Sequence, residues 1–230
     1  MSTMISLEKK LNISLEKAGI INIPKMEVKA LVDKSGSMHS EFASGWVQST
    51  LDLFLAAALK FDDDGSLQVG FFNTSFTQEH DMTAADAGVY VKKHGISPYG
   101  GTCFAGGVKA FKSGTAAPKQ EKKAGFFGSL FGSNKPTQQV VEATKPTYLA
   151  MVTDGENNDK PDFEKELSTM TNTFFQIIAI GDGVDKRYLD RVASTYENVA
   201  VMYLPNPNSV TEEQFYDMML NNEFKKFINV

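Results

Sequence analysis

Short apolar runs alternate with helical patterns along most of the chain, beginning at Glu27. The runs EVKALVD, LQVGFFN, TYLAMVTD, FFQIIAIG and NVAVMYL predict strands, and FTQEHDM predicts an edge strand after a turn. Apolar residues recur at helical spacing in FASGWVQSTLDLFLAAALKF, TAADAGVYVKKH, TCFAGGVKAFK, DFEKELSTM, DKRYLDRVAST and TEEQFYDMMLNNEFKKFI. Consecutively apolar strands, each followed by a helix, predict a doubly wound α/β fold, in which helices cover both faces of a mainly parallel central sheet.

Residues 1–25 precede this pattern and predict a short N-terminal arm. Leu7, Leu11 and Leu15 recur at every fourth position, which predicts an amphipathic helical segment. Two interpretations of the arm remain open. It either packs on the main domain, residues 26–230, or serves as a docking segment for a partner.

A second segment, residues 113–146, also departs from the pattern because it is rich in Gly, Ser, Lys, Pro and Thr. A stretch of this length without secondary structure predicts a flexible insertion in the domain. Its sequence GFFGSLFG carries four large apolar side chains, Phe126, Phe127, Leu130 and Phe131. Since apolar surface left in water costs about 25 cal/mol per Å², these side chains either fold back onto the domain or contact a partner or, more weakly, a membrane surface.

Composition narrows the class of protein. The chain has 230 residues, a net charge of -5 and an isoelectric point near 5.3, which argues against nucleic-acid binding. The single cysteine, Cys103, excludes an internal disulfide and fits a reducing compartment. No signal-peptide pattern is recognisable, and no apolar run approaches the roughly 20 residues of a membrane helix. We therefore expect a soluble, cytoplasmic protein.

Oxygen-bearing side chains follow the ends of the predicted strands. Asp33, Ser35 and Ser37 lie in DKSGSM, Thr102 in PYGGTC, and Asp154 in VTDGE. Ligands of open α/β sheets bind at the carboxyl ends of the strands, so these segments are expected to meet there. Oxygen ligands alone select a hard cation, Mg²⁺ before Mn²⁺ or Ca²⁺. The competing interpretation is that Asp33 and Ser35 only cap the helix that follows.

The segments DKSGS, GGT and VTDG, in this order, resemble the metal-ion-dependent adhesion site (MIDAS) of von Willebrand factor A (vWA) domains. The resemblance implies a Rossmann-like fold and a metal site at Asp33, Ser35, Ser37, Thr102 and Asp154. It also implies that Asp33 and Asp154 act largely through water and that an acidic residue of a partner protein completes the coordination shell. The PYGGT loop, the phenylalanine-bearing insertion and the N-terminus look most like the cytoplasmic vWA proteins of bacteria and phages associated with tellurite resistance.

The predicted function is therefore a binding module without catalytic activity, which uses bound Mg²⁺ to coordinate an Asp or Glu of a partner protein. Its expected context is a tellurite or chemical-stress resistance complex. The alternative is a metal-assisted phosphoester hydrolase that uses the same ion as a Lewis acid. Against that alternative, we assign no general base beside the three segments, and His39, two positions after Ser37, is interpreted as a solvated residue at the start of a helix.

Overall fold

Seven strands form one sheet in the computed structural model of the protein, which describes residues 3–62, 64–112 and 145–229. The strands are β1 (Glu27–Asp33), β2 (Ser66–Phe72), β3 (Phe76–Gln78), β4 (Met82–Thr83), β5 (Thr147–Thr153), β6 (Thr173–Ile180) and β7 (Val199–Leu204). The main sheet has the order β3-β2-β1-β5-β6-β7, and β4 also pairs with β2. Strands β2, β1, β5, β6 and β7 are parallel, whereas β3 and β4 are antiparallel to β2.

The order of the strands places a crevice at the centre of the sheet. From β1 the chain first builds outward through β2 and β3, and then returns to build β5, β6 and β7 on the other side. The carboxyl ends of β1 and β5 therefore lie at the point where the strand order reverses. In open α/β sheets this is where ligands bind.

Helices cover both faces of the sheet. They are α1 (Met4–Ala18), α2 (His39–Ala43), α3 (Trp46–Phe61), α4 (Tyr90–Lys93), α5 (Ala105–Phe111), α6 (Lys160–Ser168), α7 (Lys186–Thr195), α8 (Glu212–Met219) and α9 (Asn222–Phe227). One hydrophobic cluster joins α1, α3, α8 and α9 to the side chains of one sheet face, including Ala30 and Val32. The other joins α5, α6 and α7 to the opposite face, including Leu31. The predicted doubly wound α/β fold is confirmed.

The N-terminal segment packs on the domain as α1. Its three leucines, Leu7, Leu11 and Leu15, are buried in the same cluster as α3 and α8. The side chain of Thr3 caps the start of the helix, and Gly19 ends it in a left-handed conformation (φ +73°). Ion pairs from Lys10 to Glu212 and from Lys17 to Glu213 tie α1 to the first turn of α8. Of the two interpretations of the arm, the structure shows the packed one.

Three predicted helices are interrupted, and here the sequence interpretation was wrong. The segment predicted as one helix from Phe42 to Phe61 is divided into α2 and α3 by Gly45, whose φ of +79° is left-handed. The last predicted helix is divided into α8 and α9 at Asn221. Its side-chain oxygen accepts a hydrogen bond from the N–H of Phe224 (2.8 Å), while its amide donates to the buried Gln176 (2.6 Å).

The third interruption lies in TAADAGVYVKKH. This segment forms a 3₁₀ turn at Ala84–Asp86 and only the short helix α4, because Gly88 adopts a left-handed φ of +76° between them. Similarly, FTQEHDM forms two very short strands, β3 and β4, instead of one edge strand. Among the described residues no single helix is long and apolar enough to cross a membrane, although 36–43 and 46–61 together form a bent pair of sufficient length and apolarity.

The predicted insertion, residues 113–146, falls almost entirely outside the described residues, and so do Phe126, Phe127, Leu130 and Phe131. Their proposed contact with a partner or a membrane therefore stays a prediction. Lys145, at the end of the segment, is described, and its ammonium group forms an ion pair with Asp62 (2.8 Å).

A buried carboxylate at the end of the 3₁₀ turn, that of Asp86, makes the stability of the fold depend on pH in the acidic range. Asp86 accepts hydrogen bonds from Lys93 Nζ (2.5 Å) and from the N–H and hydroxyl of Thr83 (both 2.9 Å), which lower its pKa from 3.8 to about 2. Because its folded-state pKa is lowered, Asp86 contributes stability above pH 4 that is lost as the pH falls toward about 2.

We expect Asp86→Asn to lower the free energy of unfolding by about 1–2 kcal/mol at pH 7, with a smaller difference at pH 3, in urea titrations. Asp182→Asn is the matched control, since the Asp182 side chain is 88% exposed and its ion pair with Lys186 lies in water. An equal loss for both variants would contradict the role of Asp86.

Candidate metal centre

The three predicted loops meet at the carboxyl ends of β1 and β5. The N–H of Gly36 donates to the C=O of Gly100 (2.9 Å), and the N–H of Tyr99 donates to the C=O of Lys34 (2.7 Å). The N–H of Asn158 donates to the C=O of Thr102 (3.0 Å). The loop after β1 is thus bonded to the loop before α5, and that loop is bonded to the loop after β5.

Four of the predicted ligands form one chain of hydrogen bonds. Asp33 Oδ1 accepts from the N–H of Ser35 (2.7 Å), and the hydroxyl oxygens of Ser35 and Ser37 are 3.1 Å apart. The hydroxyl of Ser37 donates to Asp154 Oδ1 (2.7 Å), although the two residues are 117 positions apart in sequence. The four residues differ in depth: Asp33 and Ser35 are buried, Asp154 is half-buried and Ser37 is exposed.

Thr102, the fifth predicted ligand, lies against the residue after Asp154. A Cβ atom added to Gly155 would be only 3.1 Å from Thr102 Oγ1. Glycine at this position therefore leaves room for the threonine hydroxyl beside the two acidic loops. The structure brings all five predicted residues together, while their role as metal ligands remains a prediction.

The spacing of the oxygen atoms fits a small divalent cation. An octahedral ion with oxygen ligands at about 2.1 Å places neighbouring ligands about 3 Å apart. The separations of 3.1 Å between Ser35 and Ser37 and of 2.7 Å between Ser37 and Asp154 are close to that value. No group of three or more His, Cys, Asp or Glu side chains in the described part of the chain is arranged to hold a metal ion. A metal site here would instead depend on hydroxyl groups.

The electrostatics of the site also favour a bound cation. Burial raises the pKa of Asp33 to about 6, and the nearby charge of Asp154 contributes in the same direction. Burial likewise raises the pKa of Asp154; the hydrogen bond from Ser37 lowers it, and the charge of Glu41 raises it. Two carboxylates are therefore held near one another in a partly buried position that disfavours their charged forms. A cation between them would offset this cost.

Several supporting residues could not be recognised from the sequence. The hydroxyl of Thr153 donates to Asp33 Oδ2 (2.6 Å) across 120 residues of sequence. The side-chain amide of Asn73 donates to the backbone C=O of Tyr99 (3.0 Å). The backbone C=O of Asn73 accepts a hydrogen bond from the N–H of Cys103 (2.8 Å). These groups hold Asp33 and the Thr102 loop in place, and only the folded chain brings them near the site.

The start of α5 is fixed in a similar way. The carboxylate of Asp159 accepts hydrogen bonds from the N–H groups of Phe104 (2.8 Å) and Ala105 (3.1 Å). These N–H groups belong to the first turn of the helix, where they have no partner within the helix. Asp159 therefore connects the loop that carries Asp154 to the loop that carries Thr102.

Gly183, in the loop after β6, allows the backbone to pass close to the site. A Cβ atom added to Gly183 would be 2.5 Å from the C=O oxygen of Asp154, a distance at which the backbone must move. No local pattern indicates this requirement, because the GDG segment that contains Gly183 resembles an ordinary turn.

Solved structures share this fold. The chain aligns with proximal thread matrix protein 1 from the mussel byssus, in a structure with a zinc-occupied MIDAS motif, at a TM-score of 0.56 and 16% identity over 86% of this chain and 46% of that one. It aligns with the manganese-loaded TRAP protein of Plasmodium vivax at a TM-score of 0.51 and 15% identity, over 84% of this chain and 73% of that one. The chain spans about half the length of the mussel protein. At these identities the likeness shows the fold alone, which is the Rossmann-like fold of vWA domains.

The family follows from the sequence comparison. Residues 25–230 match the vWA-TerF-like family, described as the vWA found in the TerF C terminus, and the protein belongs to this family. The predicted resemblance to Ter-type vWA proteins is thereby confirmed. A relative named "uncharacterized protein YcbR", from Bacillus subtilis strain 168, is 22% identical over 226 residues, which cover 96% of this chain and 84% of that protein.

Proposed function

We propose that this protein is a metal-dependent protein-binding module without catalytic activity. Its five oxygen-bearing residues would hold a divalent cation, with Mg²⁺ preferred and Mn²⁺ or Ca²⁺ as alternatives, and an acidic residue of a partner protein would add a further ligand. These residues are Asp33, Ser35, Ser37, Thr102 and Asp154. The observation that carries the proposal is the convergence of their three loops, with oxygen separations of 3.1 and 2.7 Å.

The five side chains differ in burial, and we assign them different roles in binding the metal and the partner accordingly. Asp33 and Ser35 lie at the buried end, where both carboxylate oxygens of Asp33 are already held by the N–H of Ser35 and the hydroxyl of Thr153. Asp33 therefore contributes mainly negative charge and acts largely through water. Ser37 and Asp154 lie at the solvent side, where a partner approaches. When bound, the cation supplies a hard Lewis acid that a carboxylate of the partner can coordinate.

The cellular setting forms part of the same proposal. Membership of a family described by the TerF C terminus supports a role in a tellurite or chemical-stress resistance complex. The net charge of -5 and the single cysteine support a cytoplasmic protein that does not bind nucleic acid. Neighbours of the same fold with zinc and manganese support a divalent cation without specifying which one.

The test is to capture binding partners on immobilised protein in Mg²⁺ and to elute them with EDTA. Ser37→Ala is the matched variant, because Ser37 is exposed and loss of its hydroxyl leaves the core unchanged. We expect a protein that is retained by the parent in Mg²⁺, is released by EDTA and is not retained by the variant. Replacing single Asp and Glu residues of that protein should then abolish its binding at one position. A partner bound equally well in EDTA would contradict the proposal.

A further inference from the structure

An exposed aromatic ring stands beside the metal site. Tyr99 is 60% exposed and is the only aromatic side chain in the described part of the chain that lies mostly in water. Its backbone is fixed, because its N–H donates to the C=O of Lys34 (2.7 Å) and its C=O accepts from Asn73 (3.0 Å). The next residue, Gly100, accepts a hydrogen bond from Gly36 (2.9 Å), within the loop of the proposed ligands. The backbone of Tyr99 is thus fixed at the rim of the site.

One face of this ring is occupied by a positive charge. The ammonium group of Lys34 lies 5.6 Å from the centroid of the Tyr99 ring, and Lys34 itself is only 8% exposed. Among the described residues Lys34 forms no ion pair with a carboxylate. A second cation on the free face of the ring would be repelled by Lys34. The free face therefore suits an apolar or aromatic side chain.

A negative charge lies at the other end of the same loop. The 3₁₀ turn Gly36–Met38 leads directly into α2, so Glu41 stands one helical turn after Ser37, on the same side. Glu41 is half-buried, and within the described part of the chain its carboxylate accepts a hydrogen bond only from the neighbouring Ser40 hydroxyl (2.7 Å). A basic side chain of a partner would pair with Glu41.

We propose that Tyr99 and Glu41 select the partner segment, which places an apolar or aromatic residue on Tyr99, an acidic residue at the metal and a Lys or Arg beside Glu41. This inference rests on the proposed function and specifies the partner's chemistry. The metal contact alone accepts any accessible carboxylate, whereas the two flanking contacts distinguish one acidic segment from another. A tyrosine is well suited to this role, because it has only two side-chain dihedral angles and burying it on binding costs little side-chain entropy.

The inference can be tested with a phage-displayed library of disulfide-closed loops that carry a fixed central Asp and random flanking residues. Loops are selected on the immobilised protein in Mg²⁺ and eluted with EDTA, beside a control library that carries Asn at the centre. The selection is repeated on Tyr99→Ala and Glu41→Lys. The control variant is Ile5→Ala, because Ile5 is 66% exposed on α1, a helix that packs against α3 and α8 and carries none of the proposed ligands.

Loops selected on the parent and on Ile5→Ala should carry apolar or aromatic residues on one side of the central Asp. On the other side of the Asp they should carry Lys or Arg. Glu41→Lys should replace the basic preference with Asp or Glu, and Tyr99→Ala should weaken a selected loop about tenfold while Tyr99→Phe preserves its binding. The inference would be overturned if the selected loops depend on Asp and are released by EDTA but show no preference at the flanking positions. It would also be overturned if neither variant changes those preferences. Either result would leave the metal-dependent function standing. The absence of any Asp-dependent, EDTA-released loop would overturn both.

Discussion

Asp33→Asn is expected to abolish the stabilisation that divalent cations give this protein without weakening the metal-free fold. The parent should gain about 2.7 kcal/mol of unfolding free energy at a Mg²⁺ concentration 100 times the dissociation constant, and the variant should gain none. In EDTA at neutral pH the variant should be at least as stable as the parent. The reason is that the parent must keep a buried carboxylate charged, and burial raises the pKa of Asp33 to about 6.

Thermal melts of both proteins in EDTA and in excess Mg²⁺ measure this difference. Asparagine has the shape of aspartate and can still accept the N–H of Ser35, so the hydrogen bonds around position 33 can persist. Asp86→Asn is the matched control, because it is expected to lose stability in both conditions and to keep the response to Mg²⁺. If Asp33 serves only as a helix cap, Asp33→Asn would instead weaken the fold in EDTA, and neither protein would respond to the metal.

Gly183→Ala is expected to have the second large effect, by moving the backbone that carries Asp154. The added Cβ would be 2.5 Å from the C=O oxygen of Asp154, and this contact involves backbone and cannot be relieved by rotating a side chain. Overpacking of this kind costs about 1–3 kcal/mol. Because Asp154 is one of the proposed ligands, we also expect weaker Mg²⁺ binding by the folded variant.

The matched control for this prediction is Gly106→Ala. Gly106 lies within α5, and a Cβ atom there would meet only the Cβ of Phe76 at 3.7 Å, an ordinary contact. Alanine is favoured over glycine by up to about 1 kcal/mol within a helix, and Gly106 lies in the first turn, so this variant should be as stable as the parent or slightly more stable. Urea titrations give the unfolding free energies. Equal stability of the two variants would show that the loop after β6 yields to the added methyl group.

The parts of the fold that follow from local pattern could be predicted from the sequence. The apolar runs that became β1, β5 and β6 are buried on both faces, and such strands are recognisable without their neighbours. The proposed ligands were also recognisable, because each lies near the end of an apolar run or in a short glycine-rich loop. Helix breaks were missed where a single residue redirects the chain. Gly45 does so through its left-handed φ, and Asn221 through its bonds to Phe224 and Gln176.

The surroundings of the site depend on contacts that no local pattern encodes. Thr153 reaches Asp33 across 120 residues, and Gly183 meets the backbone of Asp154 from the loop that follows β6. Tyr99 and Glu41 resemble ordinary surface residues in the sequence. Only the folded structure shows that they lie beside the site. Tyr99 is placed there by its backbone hydrogen bond to Lys34, and Glu41 by the helical turn that follows Ser37.

Calorimetric titration of Mg²⁺ into the metal-stripped protein shows whether the five oxygen-bearing residues bind a divalent cation. The titration should extend to millimolar concentrations, because a site with two carboxylates and three hydroxyls carries little charge, and Mn²⁺ and Ca²⁺ should follow. We expect one ion per chain in the parent and no binding by Asp33→Asn or Ser37→Ala. Absence of binding by the parent for all three ions, or binding that both variants retain, would contradict the proposed metal site.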